Sequence, residues 1–508
     1  MGTKLINKFF GGITRDEKSK QIGVCSNVEE IDILENADYI QPAQRMSAEA
    51  SMPATTEVFS YTADNSDVVF GYGRETAGSK VRIVSASSGG SSTPGNFSTL
   101  FTAAAVLYYD LSPVEYHRCS TGDVNRIYWL SKSGSVISLN HCTTTGTSET
   151  LDGILTGIDG TDDRLFMRRI YGELYIGNGQ YISRVDKDGS FTEKAFTLPN
   201  GWEGVDLCEA GNSTLILARN ISKNHNISKG YFWDLTSSTQ FDDSFDIPFG
   251  GPQWLIKHRE TIKIMCAING EARFYQVSAY AGGVPAQLPG MSLKNVMTEA
   301  STLALSSQRM VAVKDDIIYF SLYKTDKSGI YAIGQIDNNK NYALYLAKRF
   351  ATTNYSLHIP RGLYIQGPNF YCAFTDNGTA SNSRCATLNS PTRSSLAVYE
   401  TVVLDDDNPT IVKKLKEVGI ISQPNPNSSC AIAVSVDPDY SGTYTAINQA
   451  DNTNYNITGQ TVGIFEPKVD SKVWKIKISW TSSSTTAIKL TGLFWTALQE
   501  KSTAKTQQ

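Results

Sequence analysis

Short apolar runs, each followed by a tight polar turn and a second run rich in aromatics, recur along this chain from about Val58 to Leu388. Arg126-Ile-Tyr-Trp-Leu130 turns at Lys132-Ser-Gly134 and resumes as Val136-Ile-Ser-Leu139. Arg164-Leu-Phe-Met167 leads to Glu173-Leu-Tyr-Ile-Gly177, then to Tyr181-Ile-Ser-Arg-Val185 and the turn Asp186-Lys-Asp-Gly189. Ser213-Thr-Leu-Ile-Leu217 precedes Tyr231-Phe-Trp-Asp-Leu235, and similar pairs begin at Ile262, Ile317 and Gly362. Runs this short, rich in β-branched and aromatic residues and bounded by Gly, Asn and Asp, predict strands. Their return at a degenerate period of roughly 40–50 residues predicts a β-propeller. Units near 58–84, 100–140, 164–191, 213–236, 254–280, 310–336 and 362–388 put the blade count at about seven, within six to eight.

The two ends break this rhythm. Residues 1–50 show no hairpin pattern, and their apolar positions, Phe9, Phe10, Ile31, Ile33, Tyr39 and Ile40, are too scattered to form a core of their own. The segment therefore reads as an extended arm that docks these side chains on a partner. Residues 51–392 form the propeller. From 393 to 500 the strands are longer and alternate with period two, as in Trp474, Ile476, Ile478 and Trp480, which predicts a β-sandwich. Ile411, Val412, Leu415 and Val418 match a helical period, but Gly419 and the flanking strands favour strand here too. Residues 501–508 are a polar, flexible tail.

Bulk properties narrow the function classes. A chain of 508 residues suggests more than one domain. Its 46 basic and 50 acidic residues leave a net charge of −4, which gives no electrostatic footprint for nucleic acid. The N-terminus lacks the apolar core of a secretory signal, and no run is long enough for a membrane span. These features predict folding in a cytoplasm. Eight cysteines lie singly, with no CxxC, and are expected as free, mostly buried thiols.

Little in the sequence carries chemistry. No HExxH, GxSxG, P-loop or zinc-spaced cluster occurs, nor does a sialidase box at any predicted blade turn. No catalytic, cofactor-binding or metal-binding residue is assigned. His141-Cys142 reads as a strand end, His258 as a solvated turn, and Asp186-Lys-Asp188-Gly189 as a hairpin turn rather than a calcium loop. Asp405-Asp406-Asp407 reads as an exposed loop. Trp202 and Trp254, beside loop glycines, are candidates for stacking on a ligand or for closing the blade cores.

At both ends the chain resembles virion structural proteins of tailed bacteriophages. Phe9-Phe10-Gly11-Gly12-Ile13, Ile31-Asp-Ile-Leu-Glu-Asn36 and Asp38-Tyr-Ile-Gln-Pro42 are similar to the opening of such proteins, where a propeller follows. Ala37 departs from the proline frequent there. Tyr399-Glu-Thr-Val-Val-Leu-Asp405, Pro409, Lys413 and Asp437-Pro-Asp-Tyr-Ser-Gly442 resemble the sandwich that follows the propeller. The resemblance implies a tail nozzle or hub, or a head-to-tail stabiliser. Its partners would be other virion proteins, and copies of the chain would close into a ring. A carbohydrate- or receptor-binding module of the virion is the alternative, and a glycan hydrolase a more distant one.

Overall fold

The computed structural model describes the chain from Gly2 to Gln499, apart from short connecting stretches and the longer segments 14–23, 88–95, 156–164, 297–309, 350–357 and 377–385. The described residues are strands and their connections, with a single 3-10 turn at Thr121–Asp123. The chain is all-β. It divides into two compact units, one of residues 46–330 and 350–389, the other of residues 1–45, 331–349 and 390–508.

The larger unit is a succession of small antiparallel sheets. Sheet 1 comprises Thr56–Ala63, Val68–Glu75, Lys80–Ser87 and Ser98–Leu107. Sheet 2 comprises Val114–Cys119, Val124–Ser133, Val136–Thr143 and Glu149–Leu155. Sheet 3 runs Leu165–Ile170, Glu173–Asn178, Tyr181–Val185 and Phe191–Thr197. Sheet 4 runs Trp202–Ala210, Ser213–Asn220, Ser228–Trp233 and Asp243–Ile247. Sheet 5 runs Pro252–His258, Thr261–Ile268, Glu271–Ser278 and Ala286–Lys294. In each, hydrogen-bonded neighbours follow chain order. Two hairpins come next, Val311–Lys314 with Ile317–Leu322 and His358–Gln366 with Asn369–Asp376. Ala386–Thr387 pairs back with Ser47–Ala48 near the start of the unit.

The consecutive apolar residues in the sequence have a direct cause. Most inner strands are covered on both faces, so both sets of alternating side chains are apolar. Ile127 and Trp129 pack with Tyr72, Ile83 and Val114 between sheets 1 and 2. Tyr128 and Leu130, the intervening residues, pack with Leu165, Met167 and Leu174 between sheets 2 and 3. Sheet 4 repeats the division, with Ile216 facing sheet 3 and Leu215 and Leu217 facing sheet 5. The layers close as well, because Val58, Tyr61 and Phe97 pack with Tyr371 of the last hairpin. Core therefore lies between sheets, as in a propeller.

Close packing leaves some positions open only to glycine. Gly177 sits directly across from Phe166, whose ring lies 2.0 Å from where a Cβ would be. Gly230 and Phe245 repeat the arrangement in sheet 4.

The smaller unit corrects the expected domain boundaries. Residues 1–45 are not a free arm; they cluster with residues 390–508. Gly2–Ile6 pairs antiparallel with Leu490–Gln499, which continues to Lys413–Ser422 and Val462–Phe465. In a second sheet Val24–Glu29 lies between Tyr342–Arg349 and Val398–Thr401, followed by Trp474–Thr481, Ala431–Pro438 and Thr445–Ile447. Residues 331–349, placed in the propeller by the repeat count, belong to this unit. The Lys413–Ser422 segment is strand, as Gly419 suggested. Trp474, Ile476, Ile478 and Trp480 are all buried, as their alternation predicted.

Candidate functional site

The leading strands of successive sheets touch in chain order. The series runs from Thr56–Ala63 through Val114–Cys119, Leu165–Ile170, Trp202–Ala210, Pro252–His258, Val311–Lys314 and His358–Gln366, and returns to Thr56–Ala63. Four of these strands carry a register shift near their start, between Val58 and Ser60, Gly204 and Asp206, Pro252 and Trp254, and Pro360 and Gly362. A bulge there adds local twist and re-aims the side chains that follow.

A cavity of about 370 Å³ opens where the leading strands converge. Its polar groups are Glu115, Arg168, Arg169, Cys208, Glu209, Lys257 and Tyr364, and its apolar wall includes Ile256, Val311 and Val313. The Nε of Arg168 donates to Oδ1 of Asp206 at 2.8 Å. Asp206 also accepts the Leu255 amide through Oδ2 at 3.1 Å, so one carboxylate joins the leading strands of sheets 3, 4 and 5. Glu115 accepts the Thr62 hydroxyl at 3.0 Å. The Arg169 guanidinium lies 5.4 Å from the centre of the Tyr116 ring. Burial pushes the Cys208 thiol well above its ordinary range, and the Asp206 and Glu209 carboxylates add to the rise. Cys208 is therefore a neutral thiol at physiological pH, not an activated nucleophile.

The residues singled out from sequence fall elsewhere. Phe9, Ile31, Ile33 and Ile40 are buried within the chain itself, between 0% and 3% exposed, which corrects their reading as partner-docking groups. The Phe9 ring meets Tyr399 edge-on at 5.4 Å, and Ile40 pairs with Leu490. Tyr39 is half-buried under the Lys489 ammonium, 4.6 Å from its ring centre. Phe10 lies outside the described residues. Trp254 is 3% exposed and packs on Phe274 and Phe320, so it cannot stack on a ligand. Trp202 is half-buried against Tyr231, with the Lys229 ammonium 5.8 Å from its ring centre.

His258 is buried, not solvated, and its Nε2 hydrogen-bonds the Asp316 carbonyl at 2.9 Å. His117 repeats this device, reaching the Asp186 carbonyl in the sheet 3 turn at 2.9 Å. That turn is structural. Asp186 Oδ1 accepts the amides of Asp188 and Ser190, and Asp188 accepts the hydroxyls of Ser120 and Thr121. His141 pairs with Asp152 on the next strand at 2.6 Å. Of the Asp405 loop only Asp405 is described, and its carbonyl accepts from the Lys413 ammonium. The cysteines among the described residues are free thiols.

Sequence reasoning missed the cavity residues. Their signal is a charge near the end of a leading strand, as in Met167-Arg168-Arg169, Cys208-Glu209 and Ile256-Lys257. It becomes legible only once the leading strand of each sheet is known.

His117 and His258 titrate below the ordinary value of 6.5, chiefly because burial opposes the imidazolium. Between the lowered folded value and the unfolded one, the unfolded state binds more protons, so stability rises with pH. Their contribution is complete above about pH 6.5 and is lost as pH falls through the folded values. The melting temperature should therefore drop between about pH 7 and 5.5. In a double variant, His117→Gln with His258→Gln, the same drop should be shallower. Parallel pH profiles in the two proteins would count against the histidines.

No protein-family model and no curated protein sequence matches the chain. Among solved structures, it is similar to an exo-β-1,3-galactanase from Phanerochaete chrysosporium, at 11% identity and a TM-score of 0.32, over 90% of this chain and 100% of that one. A putative 6-phosphogluconolactonase from Bacteroides fragilis aligns at 13% identity and a TM-score of 0.38, over 63% and 86%. Sqt1 of Saccharomyces cerevisiae aligns at 10% identity and a TM-score of 0.37, over 84% and 98%. Likenesses this loose carry no argument about activity. No described helix is long and apolar enough to cross a membrane.

Proposed function

We propose that this chain is a structural subunit of a tailed-bacteriophage virion, a tail nozzle or hub component or a head-to-tail stabiliser. It folds in the host cytoplasm and assembles with other virion proteins and with copies of itself in a ring, in a non-catalytic role. The observation that carries this reading is the meeting of the two segments that resemble such proteins. Phe9 packs on Tyr399, and Val24–Glu29, which lies between the first two N-terminal motifs, pairs antiparallel with Val398–Thr401. Two resemblances some 350 residues apart in sequence are thus parts of one structural element. Within this reading the ring of leading strands is a seven-bladed propeller whose last blade is completed by Ser47–Ala48, and the two sheets of the smaller unit are a β-sandwich built from both ends of the chain.

The test is mass spectrometry of gradient-purified particles from the replicon that encodes the chain. The chain should co-purify at a fixed ratio to the major capsid protein, and gold-labelled antibody should mark the tail or the neck. Finding it only in the soluble lysate would overturn the proposal.

A further inference from the structure

The cavity among the leading strands has a lining that points to a class of ligand. Arg168 is committed to Asp206 and Glu115 to Thr62. Arg169, Glu209 and Lys257 form no ion pair among the described residues, yet all three border the same space. Each is partly or well exposed, so it faces water until something displaces it. The charges balance: Arg168, Arg169 and Lys257 stand against Asp206, Glu115 and Glu209.

This balance discriminates between ligands. A phosphate or other compact anion would meet Glu115 and Glu209, and a cation would meet Arg169 and Lys257; each gains from one pair what it loses to the other. A neutral polyhydroxyl ring satisfies both signs at once. Each hydroxyl donates to a carboxylate and accepts from a guanidinium or ammonium group. Val311, Val313 and the Tyr364 ring supply the apolar surface that the C–H faces of such a ring require. The volume, about 370 Å³, lies within the range of small-molecule sites.

We propose that this cavity binds a neutral saccharide, with Glu209, Lys257 and Arg169 as its polar contacts. The proposal goes beyond the virion reading and does not depend on it. Calorimetric titration of the full-length protein with glucose, galactose, mannose, N-acetylglucosamine and their β-linked disaccharides, up to the millimolar range, should find saturable binding of at least one. Glu209→Gln and Lys257→Met each remove a charge that holds no ion-pair partner among the described residues, so both should leave the melting temperature unchanged. Each should weaken that binding by roughly tenfold or more, the expected effect of losing a hydrogen bond to a charged group. Inorganic phosphate and glycine serve as probes for an anion or zwitterion site. Absence of saturable saccharide binding, binding that both variants leave intact, or binding of phosphate or glycine in place of every saccharide would each overturn the proposal. Particle incorporation of the same two variants keeps the two readings separable, since loss of sugar binding with normal incorporation touches only the cavity.

Discussion

Deleting residues 1–45 should unfold the unit that contains residues 390–508. An independent docking arm would be dispensable for folding, but this segment supplies five strands and part of a core. Phe9, Val28, Ile31, Ile33 and Ile40 belong to that unit and are buried, and each large apolar side chain contributes about 1.5–3 kcal/mol on burial. Their sum is on the order of 10 kcal/mol, comparable with the whole stability of a domain. The deletion also removes Val24–Glu29 from between Tyr342–Arg349 and Val398–Thr401. It strips Arg349 of Glu29 and Ser394 of Glu30. In calorimetry the truncated protein should lose the unfolding enthalpy of this unit, and protease should cleave readily beyond residue 390. The pairing of Ser47–Ala48 with Ala386–Thr387 lies outside the deletion, so the larger unit should still melt cooperatively. An unchanged unfolding enthalpy would show that the segment is an appendage after all.

The same segment shows what a sequence can and cannot convey. Repeated strands were legible because burial on both faces writes four or five consecutive apolar residues, as in Ile127-Tyr-Trp-Leu130, and turns write Gly, Asp and Asn between them. The alternation at Trp474, Ile476, Ile478 and Trp480 was legible for the same reason. Pairing between Gly2–Ile6 and Leu490–Gln499 was not. A strand only five residues long, with Leu5 and Thr3 exposed, has no local signature that names a partner nearly 500 residues away. Isolated apolar residues such as Phe9 and Ile40 looked unpartnered because their partners, Tyr399 and Leu490, are distant in sequence. The glycine-flanked tryptophans left two readings open, ligand stacking or core closure, and Trp254 takes the second. The loop glycines before Trp254 allowed either reading, and Gly251 makes a close backbone approach that carries the chain directly into a buried strand.

The cavity was invisible for a further reason. Its residues are spread over six leading strands, and what unites them is the convergence of those strands rather than any spacing. The charged residues that line it form no motif and share no spacing in the sequence. Bulges such as that between Gly204 and Asp206 leave no residue signature either, yet they decide which way Asp206 points.

Asp206→Ala should be among the most damaging single substitutions in the larger unit. Asp206 is 1% exposed and binds the Arg168 guanidinium on one side and the Leu255 amide on the other. Removing the carboxylate leaves Arg168 largely buried without its counter-charge, a loss of about 3–5 kcal/mol in comparable buried pairs. It also strands a buried amide. Asp206→Asn keeps an acceptor for Leu255 while losing the charge, and should fall between wild type and alanine. Removing both members, Asp206→Leu with Arg168→Met, should recover part of the loss, because two apolar groups leave no buried charge uncompensated. Urea denaturation of the four proteins checks this order. An alanine variant within about 0.5 kcal/mol of wild type, the range of an ordinary surface change, would mean that the three leading strands hold their positions without this carboxylate. The double variant separates electrostatics from shape: if it is less stable than Asp206→Ala, the cavity wall is held by the size of the Arg168 side chain and not by its charge.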